Sequence, residues 1–135
     1  MKTTALYKYL FIVLFFSVRL VLAQQGVEAL FIKEGVLLKC ENTKIPSEGY
    51  IALPHTVKAI AAEAFKGCTR LQRISVSGAV TTIGDRAFAE CESLTKVEML
   101  PNSVTAIGVQ AFAFCPNLKE INLPNTVTTI GEEAF

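Results

Sequence analysis

The chain has 135 residues, 51% of them hydrophobic, and its 13 Lys and Arg nearly cancel 12 Asp and Glu for a net charge of +1. With no basic cluster, that balance gives no electrostatic basis for binding nucleic acid or an anionic membrane surface.

The first predicted element is an export signal. MKTTALYKY carries Lys2 and Lys8, LFIVLFFSVRLVLA then runs largely apolar to Ala23, and Gln24 opens a polar stretch. A basic start, an apolar middle and small residues at Val21 and Ala23 predict cleavage after Ala23, leaving residues 1–23 as signal peptide. The unbroken apolar run of residues 10–16 is too short to span a bilayer, and Arg19 interrupts the second half of the segment. The alternative is an uncleaved membrane anchor through residues 10–23. No cysteine comes directly after the cut, which argues against a lipid anchor. Once Lys2, Lys8 and Arg19 are set aside, 10 basic residues face 12 acidic ones. The remainder is long enough for one modest domain.

Residues 24–49 come next. GVEALFIKEGVLLKC (26–40) reads as two apolar strands around a Lys33-Glu34-Gly35 turn, a hairpin. This segment is expected to cap the exposed end of the core built by the rest of the chain.

From residue 50 onward the chain repeats itself. VTTIG occurs at 80–84 and again at 127–131, each copy followed three residues later by Ala-Phe. Between and around these copies, Ile60, Ile83, Ile107 and Ile130 fall at steps of 23, 24 and 23. Phe65, Phe88, Phe112 and Phe135 keep the same steps, as do Cys68, Cys91 and Cys115 over the two steps they span. The additional residue lies inside VEMLPNSV (97–104), as expected of a loop or bulge that leaves the other columns in phase. Residues 50–135 hold about three and a half copies.

Within one copy, LKEINLP (118–124) alternates apolar and polar residues and predicts a strand. Pro124 and Asn125 then turn the chain, and β-branched VTTI (127–130) predicts a second short strand. In an earlier copy Asp85 is placed to cap one helical turn, DRAFAEC, that points Ala87, Phe88 and Cys91 inward. One copy cannot bury enough apolar surface to fold alone, so the copies must stack into a solenoid.

LPNSVTAIGVQAFAFCPNLKEINLPNTVTTIGEEAF (100–135) resembles the BspA-like class of leucine-rich repeats of bacterial and some protist surface proteins. The pattern LPxSVTxIGxxAFxxCxxLxxIxLP is matched nearly throughout. SVSGAV (75–80) lacks the Leu-Pro, and Ala61 stands where the pattern has Gly. The resemblance implies an α/β repeat fold, a right-handed curved solenoid of short strands and short helical turns. It also implies a secreted or cell-surface, adhesion-type module that binds protein or glycan ligands, with no catalysis, no cofactor and no small-molecule substrate.

The chemistry-bearing residues agree with a non-enzymatic reading. Cys68, Cys91 and Cys115 lack the C-x-x-C spacing of a zinc site and are expected as small buried hydrophobes. Parallel side-chain vectors argue against disulfides between neighbouring copies, even in the oxidising compartment that export implies. Cys40, in the cap, is the thiol best placed to react. His55, the only histidine, is expected in a turn after Pro54, and nothing pairs it with a nucleophile. The outward strand residues Arg73, Ser75, Lys96, Glu98, Glu120 and Asn122 form either a binding face or a merely solvated row. Phe135 ends the chain at the Ala-Phe of a fourth copy. This predicts either a fragment of a longer array or self-association through that end.

Overall fold

The computed structural model describes residues 27–135 except Met99, so the signal and its cleavage after Ala23 lie outside the described residues. A 3-10 turn (Val27–Ala29) leads into the predicted hairpin, β1 (Leu30–Lys33) and β2 (Val36–Cys40). The two strands pair antiparallel, with a bulge between Phe31 and Ile32. Glu34 and Gly35 both take positive φ, 52° and 80°. A two-residue turn needs that geometry for its twist to match the strands.

Each following copy supplies two short strands. β3 (Tyr50–Ala52), β5 (Arg73–Ser75), β7 (Lys96–Glu98) and β9 (Glu120–Ile121) form a four-stranded sheet. β4 (Ala59–Ile60), β6 (Thr82–Ile83), β8 (Ala106–Ile107) and β10 (Thr129–Ile130) extend the hairpin into a six-stranded sheet in the order β1-β2-β4-β6-β8-β10. Apart from the hairpin, all pairings are parallel and join a residue to its equivalent in the next copy. Ile51 faces Ile74, Ile74 faces Val97, and Val97 faces Ile121. β2 takes the place of a repeat strand by lying parallel to β4, so the hairpin starts the stack in register. The insertion near Met99 does not disturb it, since β7 stays in register with both neighbours.

The segment between the sheets corrects one expectation. DRAFAEC forms consecutive turns instead of a helical turn. Phe65, Phe88 and Phe112 donate their N–H to the carbonyls of Ala87, Ala111 and Ala134 in the next coil, at 2.7 Å each. Glu63 and Gly67 on either side of Phe65 also donate to the next coil. Bonds directed between coils are lost to the i−4 carbonyls that a helix needs. To aim them outward the chain uses positive φ at Glu63, Arg86, Gln110 and Glu133, and again at Gly67, Glu90 and Phe114. Asp85 caps no helix. Its carboxylate accepts the N–H of Val109, one coil on, at 2.8 Å.

The inward set is as the repeat predicts. Ala87, Phe88, Cys91 and Leu94 are wholly buried. The phenylalanines stack face to face, 4.8 Å apart for Phe65 and Phe88 and 5.0 Å for Phe88 and Phe112. Gly84 fits where coils approach closely, since a Cβ there would lie 2.5 Å from the Ala62 backbone nitrogen. Ala61 stands in the same column, where the preceding coil is strand β2 of the hairpin. In the last coil Ile130 and Phe135 are about half exposed.

Candidate binding face

The coil has three long sides, and they differ in how far their polar groups are already engaged. Beside the six-stranded sheet a column of threonines bonds from coil to coil. Thr81 donates to the Lys58 carbonyl, Thr105 to that of Thr81 and Thr128 to that of Thr105, at 3.2–3.4 Å. On the turn side four charges close a ring. Glu63 pairs with Lys66 at 3.3 Å and with Arg86 at 3.2 Å, while Glu90 pairs with Lys66 at 4.0 Å and with Arg86 at 3.5 Å.

The four-stranded sheet carries one such bond, from Thr95 to the Gln72 carbonyl at 3.0 Å, beside a row of outward strand residues. Its buried residues Ile51, Ile74 and Val97 fix the register, and strand alternation turns the flanking residues outward. One outward column runs Tyr50, Arg73, Lys96, Glu120, and the next runs Ala52, Ser75, Glu98. Asn122 continues the second column just past the end of β9. Arg73 lies over the Tyr50 ring, 5.4 Å from its centroid, and sits 3.6 Å from the Glu98 carboxylate. Asn122 donates to Glu120 at 3.3 Å. Among the described residues no hydrogen bond engages the side chains of Arg73, Ser75, Lys96 or Glu98.

The six residues expected on this face are therefore brought together: Arg73, Lys96, Glu120 and Asn122 exposed, Ser75 and Glu98 half-buried. Tyr50 and Ala52 extend the row and were missed. The 23-residue step from Ile51 to Ile74 placed their strand, and counting one residue either side of Ile51 would have found them.

The cysteines lie elsewhere: Cys40, Cys68 and Cys91 are buried in the core, while Cys115, expected to be buried too, is half-buried against it. Cys91 and Cys115 donate their thiols to the carbonyls of Phe65 and Phe88 at 3.1 Å, and Cys68 approaches that of Cys40 at 3.9 Å. Their neighbours' thiols (Cys68 and Cys115) and burial together push Cys40 and Cys91 above the ordinary thiol range. That keeps both protonated near neutral pH, so Cys40 is not set up as a reactive thiolate. All four cysteines are free, and no group of three or more metal-ligating side chains occurs among the described residues. His55 is exposed in the turn after Pro54.

Residues 38–135 match the model of the BspA type leucine-rich repeat region, in six copies. The chain belongs to that family. This BspA-type protein is similar in structure to the pneumococcal vaccine antigen PcpA, with a TM-score of 0.69 and 28% identity over 75% of this chain. It is similar also to a leucine-rich repeat protein from Bacteroides ovatus, with a TM-score of 0.60 and 39% identity over 68% of this chain. A leucine rich cell surface protein from Faecalibacterium prausnitzii gives a TM-score of 0.64 and 31% identity over 74% of this chain. The BspA-type chain spans only 24%, 23% and 29% of those three proteins. No curated protein matches it. Among the described residues no helix is long and apolar enough to cross a membrane.

Proposed function

We propose that this is a non-enzymatic module, exported by cleavage after Ala23, that binds protein or glycan ligands at the cell surface through the outward side of the four-stranded sheet. One observation carries the reading. This side presents charges of both signs in a row set by strand register, with Arg73 stacked on Tyr50 and paired with Glu98 and with Lys96 beside it. Groups fixed in advance lose less entropy on binding. The family membership and the cell-surface description of the F. prausnitzii protein support the location.

The test is a binding screen of residues 24–135 against purified extracellular matrix proteins and a glycan array. Ligand captured by the parent protein should be lost on Arg73→Glu with Lys96→Glu and retained on Thr82→Lys, which alters the opposite sheet. Capture indifferent to the first pair, or lost with the second, would place the contact elsewhere. For export, mass spectrometry should find Gln24 as the first residue of the exported protein, and an intact Met1 in the membrane fraction would favour an anchor.

A further inference from the structure

We propose that Tyr50, Arg73, Ser75 and Glu98 form a subsite for one ring of a neutral oligosaccharide, an inference that rests on the binding-face reading above. A neutral sugar ring presents two chemistries, an apolar face of C–H groups and a rim of hydroxyls that each donate and accept. The four residues offer a counterpart to each.

Tyr50 supplies the apolar surface. Among the described residues it is the one aromatic side chain in the outward columns, and it is half-buried. Among the described residues β3 is the edge strand of its sheet, so Arg73 on β5 is the strand neighbour that flanks the ring. The guanidinium and carboxylate supply the rim. Arg73 carries five N–H donors in a planar fork and Glu98 two acceptor oxygens, which suits paired hydroxyls on adjacent carbons. Stacking on Tyr50 and the 3.6 Å approach to Glu98 hold the fork in place without using its hydrogen bonds. Beside these long side chains the second column carries only Ala52 and Ser75, in register with each other. Ala52 is exposed, and the half-buried Ser75 adds a hydroxyl beside the two long side chains.

Charge selects among ligand classes. Arg73 and Lys96 are matched by Glu98 and Glu120, so the face has no net sign with which to hold a sulfated or otherwise polyanionic chain. A protein partner is also less well served. Stable protein contacts centre on apolar anchors across about 800 Å² per side, and the outward columns offer Tyr50 alone. A neutral glycan needs neither net charge nor a broad apolar centre.

The experiment is a titration of residues 24–135 by saturation-transfer NMR with malto-, cello-, manno- and chito-hexaose, with a sulfated glycan and the protein ligands of the screen run alongside. At least one neutral hexaose should bind. Tyr50→Ala should weaken it by about tenfold or more, equivalent to about 1.4 kcal/mol. Ser75→Leu, which replaces the hydroxyl with bulk at an outward position and leaves the core alone, should do the same with an unchanged melting temperature. Affinity should shift less than about twofold when salt is raised past the screening range. Binding of no neutral hexaose, or binding unchanged by both substitutions, overturns the subsite. A sulfated glycan bound in its place, with steep salt dependence, overturns it as well. If a protein ligand is lost on Arg73→Glu with Lys96→Glu while no hexaose binds, the subsite fails and the binding-face reading stands.

Discussion

Phe88 lies face to face with Phe112, ring centroids 5.0 Å apart and planes within 2° of parallel. The two residues sit 24 positions apart in the chain, and the same contact recurs with Phe65 on one side and Phe135 on the other. Phe112 is 2% exposed. Phe112→Ala should therefore cost about 3–5 kcal/mol through lost contact and the cavity it opens. Glu98→Ala, on the outward side and tied only by an exposed pair with Arg73, should stay within about 0.5 kcal/mol. Urea melts of the two variants check the order, and the reverse order would invert the inward and outward assignment.

Gly84 is held by space. A methyl group there meets the Ala62 nitrogen at 2.5 Å and the Ile60 carbonyl oxygen at 2.9 Å, both backbone atoms of the preceding coil. Gly84→Ala should cost about 1–3 kcal/mol by forcing the coils apart. The same change at Gly78, where nothing lies within 4 Å, should be close to neutral. Thermal melts of the pair separate steric crowding from the general effect of adding a methyl group.

In each thiol pair the shared interaction raises one member, Cys40 or Cys91, and lowers the other, Cys68 or Cys115. The lowered members partly offset the loss of stability that the raised ones bring at high pH. Cys40 and Cys91 are raised in the folded state, so the unfolded chain gives up these protons first as pH rises. Their contribution is complete below the unfolded thiol value of about 8.5 and falls away above it. The denaturation midpoint should drop between neutral pH and about pH 10, and drop less in the double variant Cys40→Ser, Cys91→Ser. Parallel pH curves for the two proteins would refute the assignment.

The four-charge ring on the turn side predicts little. Its side chains are 30–50% exposed. Exposed pairs contribute about 0–1 kcal/mol and are screened by salt. Arg86→Ala should change stability by less than about 1 kcal/mol, and added salt should narrow the difference further. A loss above about 2 kcal/mol would mean that the Arg86 stem, and not its charge, carries the contact.

Much of the fold was legible because each inward column repeats. Ile60, Ile83 and Ile107 recur at steps of 23 and 24 in one environment, so the repeat placed two strands in each coil and the buried Phe65, Phe88 and Phe112. The turn between the sheets was not legible. Ala87, Phe88 and Ala89 are acceptable in a helix, and what decides against one is a set of hydrogen bonds to a coil 23 or 24 residues away. Local propensity carries no information about such partners. The outward face was legible from strand alternation in β5, β7 and β9. Tyr50 escaped, although the step from Ile51 to Ile74 placed its strand, because Glu48 stands where the later copies have Leu71, Leu94 and Leu118.

The backbone bonds between coils carry a mechanical consequence. Each runs from one coil to the next, as from Phe65 to Ala87 and from Phe88 to Ala111, and therefore along the stacking direction. A pull applied to the two ends of the stack bears on a single coil-to-coil junction at a time, since each coil touches only its neighbours. Under load the molecule should unwind in steps of one coil, each releasing 23 or 24 residues of slack while the coils behind it stay wound. A surface module built this way would lengthen under shear before it let go.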